Sequence, residues 1–127
     1  MADGKRGARA HFDTDAWEED LGRTTSNGRA VAETARRDYE RNGIPIAQLR
    51  RVAPHGRDHT VLPDCAKVYL PPPDGRFGMI FMLKFEPDGR PVLVFLAFGV
   101  RHHPKDSRRP TVYQLAHQRM HGEEPRR

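Results

Sequence analysis

The sequence predicts an α+β domain: N-terminal helices packed on a small twisted antiparallel sheet, with a C-terminal helix. Three observations carry this. Val31, Thr34, Ala35 and Tyr39 fall at helical spacing; two apolar runs, Phe77 to Phe85 and Val92 to Val100, flank the turn residues Pro87-Asp88-Gly89; and Val112, Leu115, Ala116 and Arg119 return to helical spacing. Helices, then hairpin-joined strands, then a helix is an α+β order rather than alternating βαβ units. The 127 residues suit one core. With 36% hydrophobic residues and a mean hydropathy of −0.81, that core must come from a few concentrated segments. Residues 11–121 read as the single domain, between a disordered N-terminal tail, 1–10, and a flexible C-terminal tail, 122–127.

Taken in order, Thr14 or Asp15 caps a short acidic helix, Ala16 to Leu21, with acids in its first turn where the helix dipole favours them, and Gly22 ends it. Ser26 or Asn27 caps a second helix through about Asn42, with Arg29, Arg36, Arg37 and Arg41 turned outward and Gly43 as its stop. Ile44 to Leu49 predicts a third short helix that tolerates Pro45 in its first turn. Ala53 to Pro63 reads as loop. Lys67 to Leu70 is a strand whose period of two sets Val68 and Leu70 on one face and Lys67 and Tyr69 on the other.

Pro71 to Gly75 stops that strand. Beyond it Phe77, Met79, Phe81, Leu83 and Phe85 make one wholly apolar face, expected in the core, while the alternate residues grade from Gly78 to Glu86. Pro87-Asp88-Gly89 fits a type I turn with glycine in the left-handed position. Val92 to Val100 is apolar on both faces, so a central strand is expected. Ala97 and Gly99 share a face with Arg101 and would leave open floor beside its guanidinium. His102 to Pro110 is a basic loop, and Thr111 caps a last helix, Val112 to His121.

A net charge of +5 and a pI near 9.9 favour a polyanionic partner. Phe12 to Asp20 holds five acids and no base, whereas Arg101 to Arg127 holds seven Lys and Arg against three acids, so the C-terminal part is the anion-facing one. The single Cys65 excludes an internal disulfide framework and a Cys-pair zinc site, which suits a reducing cytosol. No apolar stretch is long enough to span a bilayer and the N-terminus lacks a secretion signal, so a cytoplasmic protein is expected. The glycines at 75, 78 and 89 form no Walker pattern, and no cofactor is expected.

Lys67, Tyr69, Arg76, Arg101, His102, His103 and Tyr113 gather around the sheet by this geometry. Cleaving RNA without a metal needs little more: His or Tyr to move protons, Arg or Lys to hold the charge of a pentavalent phosphate. The same spacing also suits a basic rim that does no chemistry. His117 and His121 stand at i and i+4, but no Glu lies between them and no third ligand is apparent, so no metal site is expected. His55 and His59 read as solvated or hydrogen-bonded. Cys65 has no base beside it and Asp64 would raise its pKa, as for a structural thiol. Arg36-Arg37 and Arg50-Arg51 read as solvated helix faces.

Lys67-Val68-Tyr69-Leu70, an apolar hairpin, Phe98-Gly99-Val100-Arg101-His102 and Val112-Tyr113-Gln114-Leu115-Ala116 follow one another in a way that resembles the RelE/ParE superfamily of bacterial toxins, over about Ala30 to Met120. The resemblance implies a helical hairpin on a twisted sheet, with a cleft over the sheet facing messenger RNA on the ribosome. It implies a metal-independent endoribonuclease toxin held in check by a cognate antitoxin protein. Lys67, Arg76 and Arg101 then match the family's basic strand, hairpin-entry and phosphate-holding residues, Tyr113 its terminal tyrosine, and His102 or His103 a proton donor. Tyr69, Lys105, Arg108 and Arg109 would line the RNA path. The superfamily also contains gyrase inhibitors without ribonuclease activity, and a basic nucleic-acid-binding accessory protein fits the same residues.

Overall fold

The computed structural model describes residues 7–12, 14–56, 60–72, 75–102 and 110–122. Strand β1 (Ala10–His11) leads into helices α1 (Thr14–Arg23) and α2 (Ser26–Asn42). A single 3₁₀ turn, Ile46–Gln48, precedes strand β2 (Arg50–Arg51); strands β3 (Cys65–Leu70), β4 (Phe77–Phe85) and β5 (Pro91–Val100) and helix α3 (Val112–His121) complete the chain. The sheet order is β1-β5-β4-β3-β2. All pairings are antiparallel except β1 with β5, so the sheet is mixed rather than purely antiparallel. The α+β architecture is as the sequence predicts.

Local chemistry explains the helix limits. Thr25, one residue before the expected cap, takes the α2 N-cap and accepts from the Gly28 amide at 3.0 Å, while Gly43 ends the helix at φ 77°. Thr111 and Gln114 form a reciprocal capping box on α3, and Gly122 closes it in the left-handed conformation. The third helix expected over Ile44 to Leu49 is only the 3₁₀ turn. Ile44 is instead pinned in extended backbone by exchanging hydrogen bonds with Ala8, and Gly7 donates to the Asn42 carbonyl. Gly7 to Ala10, assigned to the N-terminal tail from sequence, are thus tied to the domain.

The hairpin turns as expected. Gly89 at φ 89° donates to the Glu86 carbonyl, and Glu86 donates to that of Arg90. The strands pair from Phe77 with Val100 to Phe85 with Pro91, with one irregularity: Ile80 faces Ala97 and Phe81 faces Phe95, so Leu96 is an extra residue. This bulge overturns the simple alternation of β5. Leu93, Phe95, Phe98 and Val100 face α1 and α2, whereas Leu96, Ala97 and Gly99 face α3.

The sheet is therefore covered on both faces. Under α1 and α2, Phe12, Trp17, Phe81 and Phe95 pack with ring centroids 5.4 to 6.2 Å apart, and Phe77 stacks on Phe98 at 5.4 Å. On the other face α3 lays Val112, Leu115 and Ala116 on Ile80 and Ala97. The open floor expected above Ala97 and Gly99 is filled by this helix, with Leu115 and Val112 3.6 and 3.7 Å from where a Gly99 side chain would begin. Leu83 and Phe85, expected in the core with the rest of their face, are exposed at the hairpin tip beyond the helices.

A buried ion pair fastens the two layers. Strand β1 covers β5 only at Leu93 and Val94, which leaves the Phe98 amide and the Leu96 carbonyl on a free edge. Buried Asp20 of α1 accepts from the Phe98 amide at 2.8 Å. Arg119 of α3 grips the same carboxylate at both oxygens, at 2.7 and 2.8 Å, and donates to the Leu96 carbonyl at 2.8 Å. Removing one partner leaves the other desolvated and uncompensated. Asp20→Ala is expected to lower stability by about 3 to 5 kcal/mol in urea unfolding. Glu19→Ala, which loses only an exposed partner of Arg119, should cost about 1 kcal/mol or less.

Candidate functional site

Strand β3 sends alternate residues to alternate faces, so Val68 and Leu70 enter the core while Lys67 and Tyr69 stand on the α3 side, as the sequence predicts. Tyr69 faces Gly78 across the β3-β4 pair, and Gly78 faces Gly99 across the next. Two glycines side by side leave room next to the tyrosine ring. The stem of Arg101 runs through it, with Cγ only 3.2 Å from the place a Gly78 Cβ would occupy.

Arg101 thereby reaches back over the sheet and lays its guanidinium carbon 3.6 Å from the Tyr69 ring centre. Its backbone amide donates to the Arg76 carbonyl at 3.1 Å and its Nη1 to the Gly75 carbonyl at 2.8 Å. Its Nε is buried without a hydrogen-bond partner among the described residues. One nitrogen of the fork is thus held by the chain. Lys67 Nζ donates to the Tyr113 hydroxyl at 3.1 Å and lies 5.0 Å from that ring and 5.3 Å from the Tyr69 ring.

Of the residues singled out from sequence, Lys67, Tyr69, Arg101 and Tyr113 are thus brought together. Arg76 is exposed in the bend before β4, joined to Arg101 through its backbone, and His102 is exposed directly after Arg101. His103, Lys105, Arg108, Arg109 and His59 lie outside the described residues. Arg50 joins the cluster without having been expected there. It sits on β2 directly opposite Lys67, not on a helix face, and its guanidinium carbon is 4.5 Å from the Tyr69 ring centre. A two-residue strand has no alternation to read, so nothing in the sequence marked it.

Three cations therefore surround one phenol. Among the described residues none of them is ion-paired to a carboxylate. Arg50 and Lys67, like charges directly opposite across a strand pair, repel each other. Partial burial on its own raises the Tyr69 pKa, but hydrogen bonding from Lys67 and the charges of Lys67, Arg101 and Arg50 outweigh it and bring the phenol below its ordinary value. Among the described residues, then, Tyr69 is ringed by three cations with no carboxylate paired to them.

The other candidates are structural. His117 Nδ1 accepts from the Val61 amide at 2.9 Å and His121 Nε2 pairs with the Val61 carbonyl at 2.8 Å, so the two rings clamp the loop before β3. Among the described residues no group of three His, Cys, Asp or Glu is placed to hold a metal, and no helix is long and apolar enough to cross a membrane. Buried Cys65 donates to the Pro63 carbonyl, and its thiol is pushed up to about 11 by burial and then by Asp64.

No family model matches the chain, and no curated protein does. Among solved structures it is similar to the E. coli toxin RelE, a double arginine-to-alanine mutant in the free state. The identity is 15% and the TM-score 0.38, over 75% of this chain and 84% of that one. At that depth the function rests on the site itself.

Since a raised thiol pKa leaves almost no thiolate near neutrality, native Cys65 is expected to resist alkylation at pH 8 and to react at least 100-fold faster in urea, as followed by mass spectrometry. Equal rates in both states would contradict a buried structural thiol.

Proposed function

We propose that the chain is the toxin of a toxin-antitoxin pair, a metal-independent endoribonuclease that cleaves messenger RNA on the ribosome. The observation that carries this is the cluster of Arg50, Lys67 and Arg101 around Tyr69, with Tyr113 bonded to Lys67 and no carboxylate among the described residues to neutralise it. Cations with no carboxylate partner among the described residues favour a phosphate between them, and the adjoining phenols and imidazole are groups that move protons. The resemblance of the Lys67-to-Leu70, Arg101 and Tyr113 segments to the RelE/ParE pattern supports the same reading.

In this mechanism the 2′-hydroxyl of the nucleotide before the scissile bond attacks its own phosphate. Arg101 and Lys67 stabilise the added negative charge, and Arg76, exposed at the same sheet end, holds the neighbouring backbone. His102 or His103 gives a proton to the departing 5′ oxygen. Tyr113 positions Lys67 by accepting its hydrogen bond. Tyr69, Lys105, Arg108 and Arg109 line the RNA path, and a cognate antitoxin covers this face when the toxin is silent.

Expression of the chain should arrest translation with fragmented transcripts. Arg101→Ala combined with Tyr113→Phe should reduce cleavage by at least about 100-fold, the scale on which one transition-state donor acts. Intact transcripts beside gyrase-dependent DNA breaks would support the gyrase-inhibitor class instead. RNA retention with a steep salt dependence and no cleavage would mark a binding protein.

A further inference from the structure

The cluster holds a residue whose surroundings suit it to more than lining the RNA path. Tyr69 has Lys67 two positions away on its own strand, Arg50 on β2 and Arg101 at the end of β5, and its neighbour on β4 is uncharged Gly78. From α3 the facing group is Tyr113, which is bonded to Lys67. No carboxylate among the described residues ion-pairs with any of the three cations. Among the described residues Tyr113 touches one cation, and Lys67 as an ammonium has no lone pair with which to accept a proton. Both guanidinium groups lie against the Tyr69 ring, a cation–π arrangement that positions the ring while leaving it half-buried.

Resting on the ribonuclease reading above, we propose that Tyr69 is the general base of the reaction, and that Arg50 is a positioning residue that favours its basic form. The phenolate oxygen takes the proton of the 2′-hydroxyl. The O2′–P bond forms and the P–O5′ bond breaks, leaving a 2′,3′-cyclic phosphate. The O5′ electron pair takes a proton from the His102 imidazolium, giving a free 5′-hydroxyl. Tyr69 then returns its proton to water and His102 takes one from water, which restores both groups. The downward pull of the three cations on the phenol agrees with this role, since a base must be deprotonated to act.

The test uses the purified full chain on ribosomes programmed with a defined messenger RNA, in single-turnover cleavage between pH 6 and 9. Tyr69→Phe keeps the ring and its stacked guanidinium groups but removes the oxygen. It should lower cleavage at least about 100-fold, while affinity for the same RNA carrying 2′-deoxy substitutions changes less than about 2-fold. With an imidazolium as acid and a phenolate as base, the rate of the unsubstituted chain should reach a plateau and then fall at high pH, the fall being set by the phenol and lying below the ordinary tyrosine value of about 10. Arg50→Ala, which removes one of the three cations, should move that fall to higher pH and lower the plateau.

Four results would overturn the assignment. Tyr69→Phe could cleave within about 3-fold of the unsubstituted chain, or lose affinity in parallel with rate, which makes Tyr69 a binding residue only. The pH profile could stay in place in Arg50→Ala, which needs no information from the tyrosine variant. If the unsubstituted chain leaves the RNA intact, the ribonuclease reading fails and takes this assignment with it, an outcome distinct from the other three.

Discussion

A carboxylate buried beside a free strand edge is the constraint on which the rest of this structure turns. Strands β4 and β5 are apolar along most of both faces, so the sheet must be covered twice, and among the described residues one short helix, α3, covers the second face. Asp20 satisfies the Phe98 amide that β1 is too short to reach, and Arg119 crosses the β5 edge to close on Asp20 and the Leu96 carbonyl. Desolvation makes such a pair costly, and the bidentate geometry together with the two backbone bonds offsets that cost. Its larger effect is placement: it fixes where α3 lies on the sheet and hence where Tyr113, at the other end of the same helix, meets Lys67.

The site is a consequence of that packing. Helix α3 fills the floor above Ala97 and Gly99, and the Gly78-Gly99 pair leaves a passage through which Arg101 reaches Tyr69. The His117 and His121 clamp on Val61 holds the loop entering β3 against the same helix. Lys67 and Tyr69 are thus braced from both sides by elements far apart in the sequence. Two guanidinium groups and an ammonium beside one phenol repel one another. Their closeness is compensated in part by the aromatic ring, and no carboxylate among the described residues pairs with them.

Much of this is legible in the residues. The hairpin about Gly89, the helix stop at Gly43, the cap at Thr111 and the outward pair Lys67 and Tyr69 all follow from local chemistry that acts over a few positions. What escapes is what depends on tertiary contact. The bulge at Leu96 breaks the period of two and reassigns every β5 residue after it. The extended backbone at Ile44 is imposed by Ala8, which lies 36 positions away. Arg50 looks like one of many surface arginines until a two-residue strand sets it opposite Lys67. The pairing of Asp20 with Arg119, across 99 positions, has no local signature at all.

Central to the proposed function is an attack by the RNA's own 2′-hydroxyl, driven by the cation cluster. The most direct measurement is the chemistry of the ends left on transcripts after the chain is induced in cells. The account predicts 5′-hydroxyl ends matched to 2′,3′-cyclic phosphates, which only an internal attack on the phosphate leaves behind. Fragments ending in 5′-phosphate and 3′-hydroxyl, or transcripts that remain whole while growth stops, would contradict it.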